Sequence, residues 1–180
     1  MLWLQAHRTP GLTTVVRLVS DLGSFPIAAP LALAILLLRR WKRPRDDIVL
    51  IVVALGSAAL PNVVKLLVQR ARPPFDALGH LSTLSFPSEH AAQAAAIYGG
   101  IALLLSKGWP RPARIAAIGV AVVLALLVAV ARVYLGVHYP TDVAGGLLLG
   151  WAWLWLIQGW AHRPLGQDLA TPQPGRPAVE

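Results

Sequence analysis

Residues 115–130 form an apolar run without a single charged side chain, and this run limits the folds that the chain can adopt. Residues 25–38, 48–67 and 143–157 are also mostly apolar, and 87–105 is rich in alanine. A transmembrane helix needs about 20 predominantly apolar residues. Since 56% of the chain is hydrophobic and only 13% is charged, it is too apolar for an ordinary soluble domain. We expect an all-α bundle of about five transmembrane helices.

The two ends of the chain differ from these spans. Residues 1–24 mix apolar side chains with Arg8, Arg17 and Asp21, which indicates an amphipathic helix lying in the membrane interface. The proline-rich stretch 161–180 has no apolar periodicity, and we predict a disordered cytoplasmic tail there. Residues 1–160 are expected to form a single membrane-embedded domain.

The net charge of +8 is distributed as membrane topology requires. Five alternating spans would place the hairpin 39–47, the turn 106–114 and the tail on one side, which by the positive-inside rule is cytoplasmic. Ten of the sixteen basic residues lie there: Arg39, Arg40, Lys42, Arg43, Arg45, Lys107, Arg111, Arg114, Arg163 and Arg176. Because the positive charge sits in short clusters between apolar runs, we expect a multi-pass protein of the cell membrane and no nucleic-acid partner.

Several site chemistries are excluded by composition. The chain has no cysteine, so it can form neither disulfides nor a thiolate zinc site, and it has no cysteine nucleophile. His7, His80 and His162 have no partners at metal-ligand spacing, and we expect no metal.

A cluster of ionisable residues stands between the last two apolar runs. His138 and Asp142 are four residues apart, with Pro140 between them at a suitable first position for a helix. At that spacing the carboxylate can accept the N–H of the imidazole, which fixes its tautomer and leaves the other nitrogen free to attack. Arg132 offers a planar fork of donors for two phosphoryl oxygens. The alternative is an unrelated ion pair.

Two further clusters fall on the same predicted side. Lys65 and Arg72 are seven residues apart at the end of the second span and in the next loop, where both could also extend to the interface as ordinary snorkelling cations. Ser88 and His90 open the third span, and a helix N-terminus attracts phosphate through its free N–H groups. The alternative is a simple N-cap beside an interfacial histidine.

The three patterns, Lys-x6-Arg-Pro, Pro-Ser-x-His and Arg-x5-His-x3-Asp, occur in this order, each at a helix boundary. They resemble those of the type 2 phosphatidic acid phosphatase (PAP2) superfamily of membrane phosphatases. The resemblance covers residues 65–142.

The resemblance implies a lipid phosphatase that needs no metal or other cofactor. By this resemblance His138 attacks phosphorus to form a phosphohistidine, His90 protonates the leaving oxygen, and Asp142 orients His138. The residues expected to hold the phosphoryl oxygens are Lys65, Arg72, Ser88 and Arg132.

Two positions depart from the usual family pattern. Glu89 stands where the second motif usually has glycine, and Ala131 stands where serine usually precedes the arginine of the third motif. Ala131 removes a hydrogen bond. Glu89 is a candidate for substrate tuning, because a carboxylate repels a phosphate dianion unless it pairs with a cation such as Arg70. Family members that act on undecaprenyl pyrophosphate often carry an acid at this position. An ordinary acidic residue in a first helical turn is the alternative.

We therefore expect hydrolysis of a lipid phosphomonoester or a polyprenyl pyrophosphate at an extracytoplasmic site. The alternatives are a phosphotransferase that uses the same histidine, and a transport or scaffold protein with the same fold and weakened catalysis. The physiological lipid and any homo-oligomeric state stay open.

Overall fold

Prolines open most of the helices, at positions where a missing backbone N–H breaks no hydrogen bond. The computed structural model describes residues 7–40, 42–74 and 84–161. Helices α1, α2 and α3 span Pro10–Leu22, Phe25–Arg39 and Pro44–Val68. Helix α4, Glu89–Gln93, continues through a π turn, Ala94–Tyr98, into α5, Gly99–Leu105, and the chain then forms α6, Arg111–Tyr134, and α7, Pro140–Ala161. The described ranges contain no strand, so the predicted all-α fold is confirmed.

Most of the predicted spans lie within observed helices, and two of the helices begin earlier than predicted. The run at 115–130 lies within α6, which also takes in residues 111–114 of the predicted turn, and α3 begins at Pro44, inside the predicted hairpin 39–47. Pro140 is the first residue of α7, as its position suggested. Of the predicted tail, Ala161 is instead the last residue of α7, and residues 162–180 lie outside the described part of the chain.

The number of helices that qualify as full spans is smaller than predicted. Among the described residues, α3, α6 and α7 are each long and apolar enough to cross a membrane. Helices α1 and α2 qualify only as a pair, bent by 53° at the short break between them, which makes four. The prediction of five counted α2 and the α4–α5 segment as separate spans, and each of these is under 18 residues long.

The two basic loops lie at the same end of the bundle. Lys107, in the turn after α5, donates to Asp46 at the start of α3, with Nζ 2.5 Å from Oδ1. Arg39 at the end of α2 lies 3.4 Å from the buried carboxylate of Asp47. The positive-inside rule placed both loops on the same side of the membrane, and their position at one end of the bundle agrees with this.

The continuous helix formed by α4, the π turn and α5 occupies the centre of the bundle, where its alanines are almost fully buried. Two glycines let α7 approach it. A Cβ at Gly146 would lie 2.4 Å from the carbonyl oxygen of Ser88, and one at Gly150 would lie 2.3 Å from that of Ala92. This close packing brings the start of α4 beside the start of α7.

Helix α1 packs on α6. Arg8, just before it, donates to the carbonyl oxygen of Tyr134 at 2.7 Å, and Ser20 near its end is buried. Leu12, Val15 and Leu18 are exposed, as an amphipathic helix at a lipid surface requires. Its location in the interface stays a prediction.

Candidate active site

His138 and Asp142 meet at the junction of α6 and α7, and both side chains are buried. The Nδ1 atom of His138 lies 3.5 Å from Oδ2 of Asp142, longer than a normal hydrogen bond. The same oxygen accepts a hydrogen bond from the hydroxyl of Ser85 and another, at 2.8 Å, from the backbone N–H of Tyr139. The carboxylate is thus fixed by its surroundings and faces the imidazole.

Arg70 holds the other oxygen of Asp142. Its Nη1 lies 2.9 Å from Oδ1 and 2.7 Å from the hydroxyl of Thr141, and its guanidinium stacks 4.2 Å from the ring centre of Tyr139. Neither Arg70 nor Ser85 was predicted to bind the carboxylate. Their signal in the sequence is proximity to a motif, since Arg70 lies two residues before Arg72 and Ser85 three residues before Ser88.

Arg72 lies against the opposite side of the imidazole. Its Nη1 donates to the carbonyl oxygen of Val137 at 2.7 Å and lies 3.4 Å from Nε2 of His138. Burial lowers the pKa of Arg72, while the negative charges of Glu89 and Asp142 act in the opposite direction. Because arginine can only donate, Nε2 faces it as an acceptor and the ring proton belongs on Nδ1.

Burial also lowers the pKa of His138 below its ordinary value. The positive charges of Arg132 and Arg72 act in the same direction, and the Asp142 carboxylate opposes them. The neutral ring, which carries a free lone pair, is therefore favoured.

Arg132 reaches the site from the end of α6. Its Nη1 donates to the hydroxyl of Ser20 at 3.0 Å, and its Nε is buried without a hydrogen-bond partner among the described residues. Ser20 comes from α1, 112 positions away, and sequence reasoning gave no indication of it.

Ser88 stands at the N-cap position of α4, as predicted, yet its side chain makes no capping hydrogen bond. The hydroxyl is fully buried and has no partner in the described part of the chain. Its backbone N–H donates to the carbonyl oxygen of Asp142 at 2.9 Å, which ties the start of α4 to the start of α7.

Lys65 and Glu89 form an ion pair between the end of α3 and the start of α4. The Lys65 side chain is buried, whereas that of Glu89 is partly exposed. Arg70 was one cation expected from the sequence to neutralise Glu89. The neutralising cation is instead Lys65, and Arg70 serves Asp142.

His90 lies among the other predicted residues. It interacts electrostatically with His138, Arg132, Lys65 and Arg72. All eight predicted site residues therefore converge at one end of the bundle.

This arrangement is suited to a tetrahedral anion. Buried donors are normally hydrogen-bonded. The Nε of Arg132 and the hydroxyl of Ser88 have no partner among the described residues, so both are candidate donors to a bound anion. The Nε2 lone pair of His138 lies beside the cations. A nucleophile and a set of donors for anionic oxygens are thus assembled together.

Comparisons with known proteins give a consistent result. Residues 47–164 match the model of the family described as the PAP2 superfamily. The chain is 38% identical over 160 residues to phosphatidylglycerophosphatase B of Bacillus subtilis, covering 87% of this chain and 78% of that protein. It is 34% identical over 147 residues to decaprenylphosphoryl-5-phosphoribose phosphatase of Mycobacterium tuberculosis, covering 78% and 76%. The crystal structure of a transmembrane PAP2-type phosphatidylglycerolphosphate phosphatase from Bacillus subtilis superimposes with a TM-score of 0.80 at 35% identity, covering 86% of this chain and 79% of that one.

Proposed function

This chain belongs to the PAP2 superfamily, and on that premise we propose that it is a membrane lipid phosphatase whose nucleophile is His138. The main support for this proposal is the environment of that imidazole. Nδ1 faces the fixed carboxylate of Asp142 and Nε2 faces Arg72. The Nε of Arg132 and the hydroxyl of Ser88, which no described residue hydrogen-bonds, belong to the same site.

In the first step the Nε2 lone pair attacks phosphorus and the bond from phosphorus to the lipid oxygen breaks. His90 enters this step as the imidazolium, with a proton taken up from solvent together with the anionic substrate. It gives that proton to the leaving oxygen, so the lipid departs as a neutral alcohol, or as a monophosphate when the substrate is a diphosphate. The imidazole of His138 becomes a phosphoimidazolium that keeps its Nδ1 proton. The negative charge of Asp142 at 3.5 Å stabilises the positive ring.

In the second step water attacks phosphorus and the bond between phosphorus and nitrogen breaks. His90, now neutral, takes a proton from the water. Inorganic phosphate leaves, and both histidines return to their starting protonation states.

The cations supply the charge stabilisation. Arg72 and Arg132 offer several N–H donors each, Lys65 adds an ammonium group, and Ser88 adds a hydroxyl. Preorganised donors of this kind stabilise charge that develops on phosphoryl oxygens, and we propose that the reaction needs no metal.

The proposed substrates are lipids with a terminal phosphate. Relatives are named for phosphatidylglycerophosphate, a decaprenyl-linked phosphate and lipid A. An undecaprenyl pyrophosphate substrate rests on Glu89 and on the proposed extracytoplasmic position of the site. A side-by-side rate comparison on undecaprenyl pyrophosphate, phosphatidic acid and phosphatidylglycerophosphate ranks these candidates.

The test of the mechanism uses purified protein in detergent with EDTA. We expect phosphate release from a lipid phosphate, and a loss of at least about a thousandfold in His138→Ala, as for other removed nucleophiles. Acid-labile phosphate on the protein after a short reaction would report the phosphohistidine. Full activity of His138→Ala contradicts the mechanism. Phosphate that appears only on an added acceptor lipid would instead identify a phosphotransferase, and ligand binding without turnover would identify a non-enzymatic protein.

We also propose that the site faces the extracytoplasmic side. The chain has no cysteine, so a single Gln69→Cys reports on its own position. Gln69 is exposed just after α3, near the site. An impermeant maleimide added to intact cells should label it, and labelling only after lysis would reverse the orientation.

A further inference from the structure

Glu89 occupies a position that the proposed substrate must share. Its carboxylate pairs with the ammonium group of Lys65, a side chain that is only 6% exposed. It also interacts electrostatically with Arg72 and Arg132. The three cations proposed to bind phosphate are thus the three that attract this carboxylate.

The two acids of the site differ in their freedom to move. Asp142 is fully buried and is held by Arg70, Ser85 and the N–H of Tyr139. Glu89 has Lys65 as its one hydrogen-bonding partner among the side chains of the described residues, and its side chain is 30% exposed. Glu89 can therefore leave its partner toward solvent, whereas Asp142 cannot.

The ion pair also stabilises the buried Lys65 when no substrate is bound. A buried ammonium group without a partner is costly, and the carboxylate removes that cost while no substrate is bound. A phosphoryl oxygen that approaches Lys65 meets a carboxylate already bound there. The two anions repel each other, so both cannot occupy the ammonium group at full strength.

We infer that Glu89 is an internal competitor for phosphate, which holds Lys65 in the empty site, yields it to the substrate phosphoryl group and returns as inorganic phosphate leaves. This inference rests on the proposed phosphatase function, because it assigns Lys65 to the phosphoryl group. Glu89 then weakens product binding and limits inhibition by phosphate.

The test measures binding of inorganic phosphate to the full-length protein in detergent by isothermal titration, which needs no turnover. Glu89→Gln keeps the size of the side chain and removes its charge. We expect it to bind phosphate about tenfold more tightly than the wild type, because one negative charge is removed next to the anion. Asp46→Asn is the matched control, since it removes the carboxylate from the Lys107 pair at the opposite end of the bundle. It should bind phosphate as the wild type does.

A double-mutant cycle tests whether the competition is for Lys65. Lys65→Gln should weaken phosphate binding, and adding Glu89→Gln to it should then give little further gain. Where a folded Glu89→Gln protein is not obtained, Glu89→Ala replaces it in both comparisons.

Two results overturn the inference. Unchanged phosphate binding in Glu89→Gln would show that Glu89 does not affect the phosphate. Weaker binding would show that Glu89 positions Lys65 for the phosphate. A full tenfold gain in the absence of Lys65 would show general repulsion in place of competition. Failure of the wild type to hydrolyse any lipid phosphate would contradict the phosphatase function separately, since the titration does not depend on it.

Discussion

Replacing Ser20 by alanine tests whether α1 is part of the active site. Ser20 is 1% exposed, and its hydroxyl accepts a hydrogen bond from Nη1 of Arg132 at 3.0 Å. The Nε atom of Arg132 is already buried without a partner in the described part of the chain. Ser20→Ala would therefore leave a second donor of the same guanidinium without its acceptor.

The magnitude follows from the type of bond that is lost. A hydrogen bond to a charged group contributes about 1.5–3 kcal/mol, and a buried donor left unsatisfied costs a similar amount. If Arg132 holds the phosphoryl group, most of this loss appears in the transition state. Since about 1.4 kcal/mol corresponds to a factor of ten, we expect kcat/KM to fall by about 10- to 100-fold.

The assay compares kcat and KM on a lipid phosphate with Tm in detergent. Thr13→Val is a matched control, because Thr13 also lies on α1 and its hydroxyl contacts that of Tyr134 on α6 at 3.3 Å. It removes a hydroxyl between the same two helices without touching Arg132. We expect Thr13→Val to lower Tm and to keep kcat/KM near the wild-type value.

A Ser20→Ala protein that loses thermal stability and keeps its full kcat/KM would refute a role of α1 in the active site. That outcome would limit α1 to packing. An equal loss of activity in Thr13→Val would also contradict a specific role of Ser20, because weaker packing of α1 would then explain both variants.

Substitutions at Ser85, Gly146 and His138 test three other features of the bundle. Ser85→Ala removes a buried donor from the carboxylate that faces His138, so kcat should fall about tenfold in the same assay. Gly146→Ala places a Cβ 2.4 Å from the carbonyl oxygen of Ser88, so Tm and activity should both fall. Gly159→Ala, with nothing within 4 Å, should keep the activity and should not lower Tm, because alanine favours a helix more than glycine does. Because burial lowers the pKa of His138, the unfolded chain binds more protons there below its ordinary pKa of about 6.5. The stability of the folded protein should therefore decline as the pH falls from that value toward the folded pKa. In this pH range, Tm should change less with pH in His138→Gln than in the wild type. A steeper dependence in His138→Gln would contradict the lowered pKa.

The local sequence was sufficient for the helices and for predicting which polar residues gather at one end of the bundle. Apolar runs give spans because backbone groups in lipid must bond within their own segment, and prolines mark helix starts because they lack an N–H. The residues of the three motifs, among them Arg132, His138 and Asp142, were predictable because each motif lies at a helix boundary at the same end of the bundle.

The hydrogen-bond partners of those residues depended on the tertiary structure. Ser20 reaches Arg132 over 112 positions, and Arg70 reaches Asp142 over 72. No periodicity or local spacing relates such pairs, because they form only when helices dock. The choice of Lys65 over Arg70 as the partner of Glu89 was open in the sequence for the same reason.

The sequence alone determined that this chain forms a helical membrane bundle with two histidines, a carboxylate and three cations near one end. Those properties follow from hydrophobic periodicity, helix-terminal residues and short spacings, which act within a few turns of the chain. The tertiary structure decided which acid is locked and which can move, and that α1 supports Arg132. These depend on burial and on close helix contacts such as the one at Gly146, which arise only when distant segments pack together.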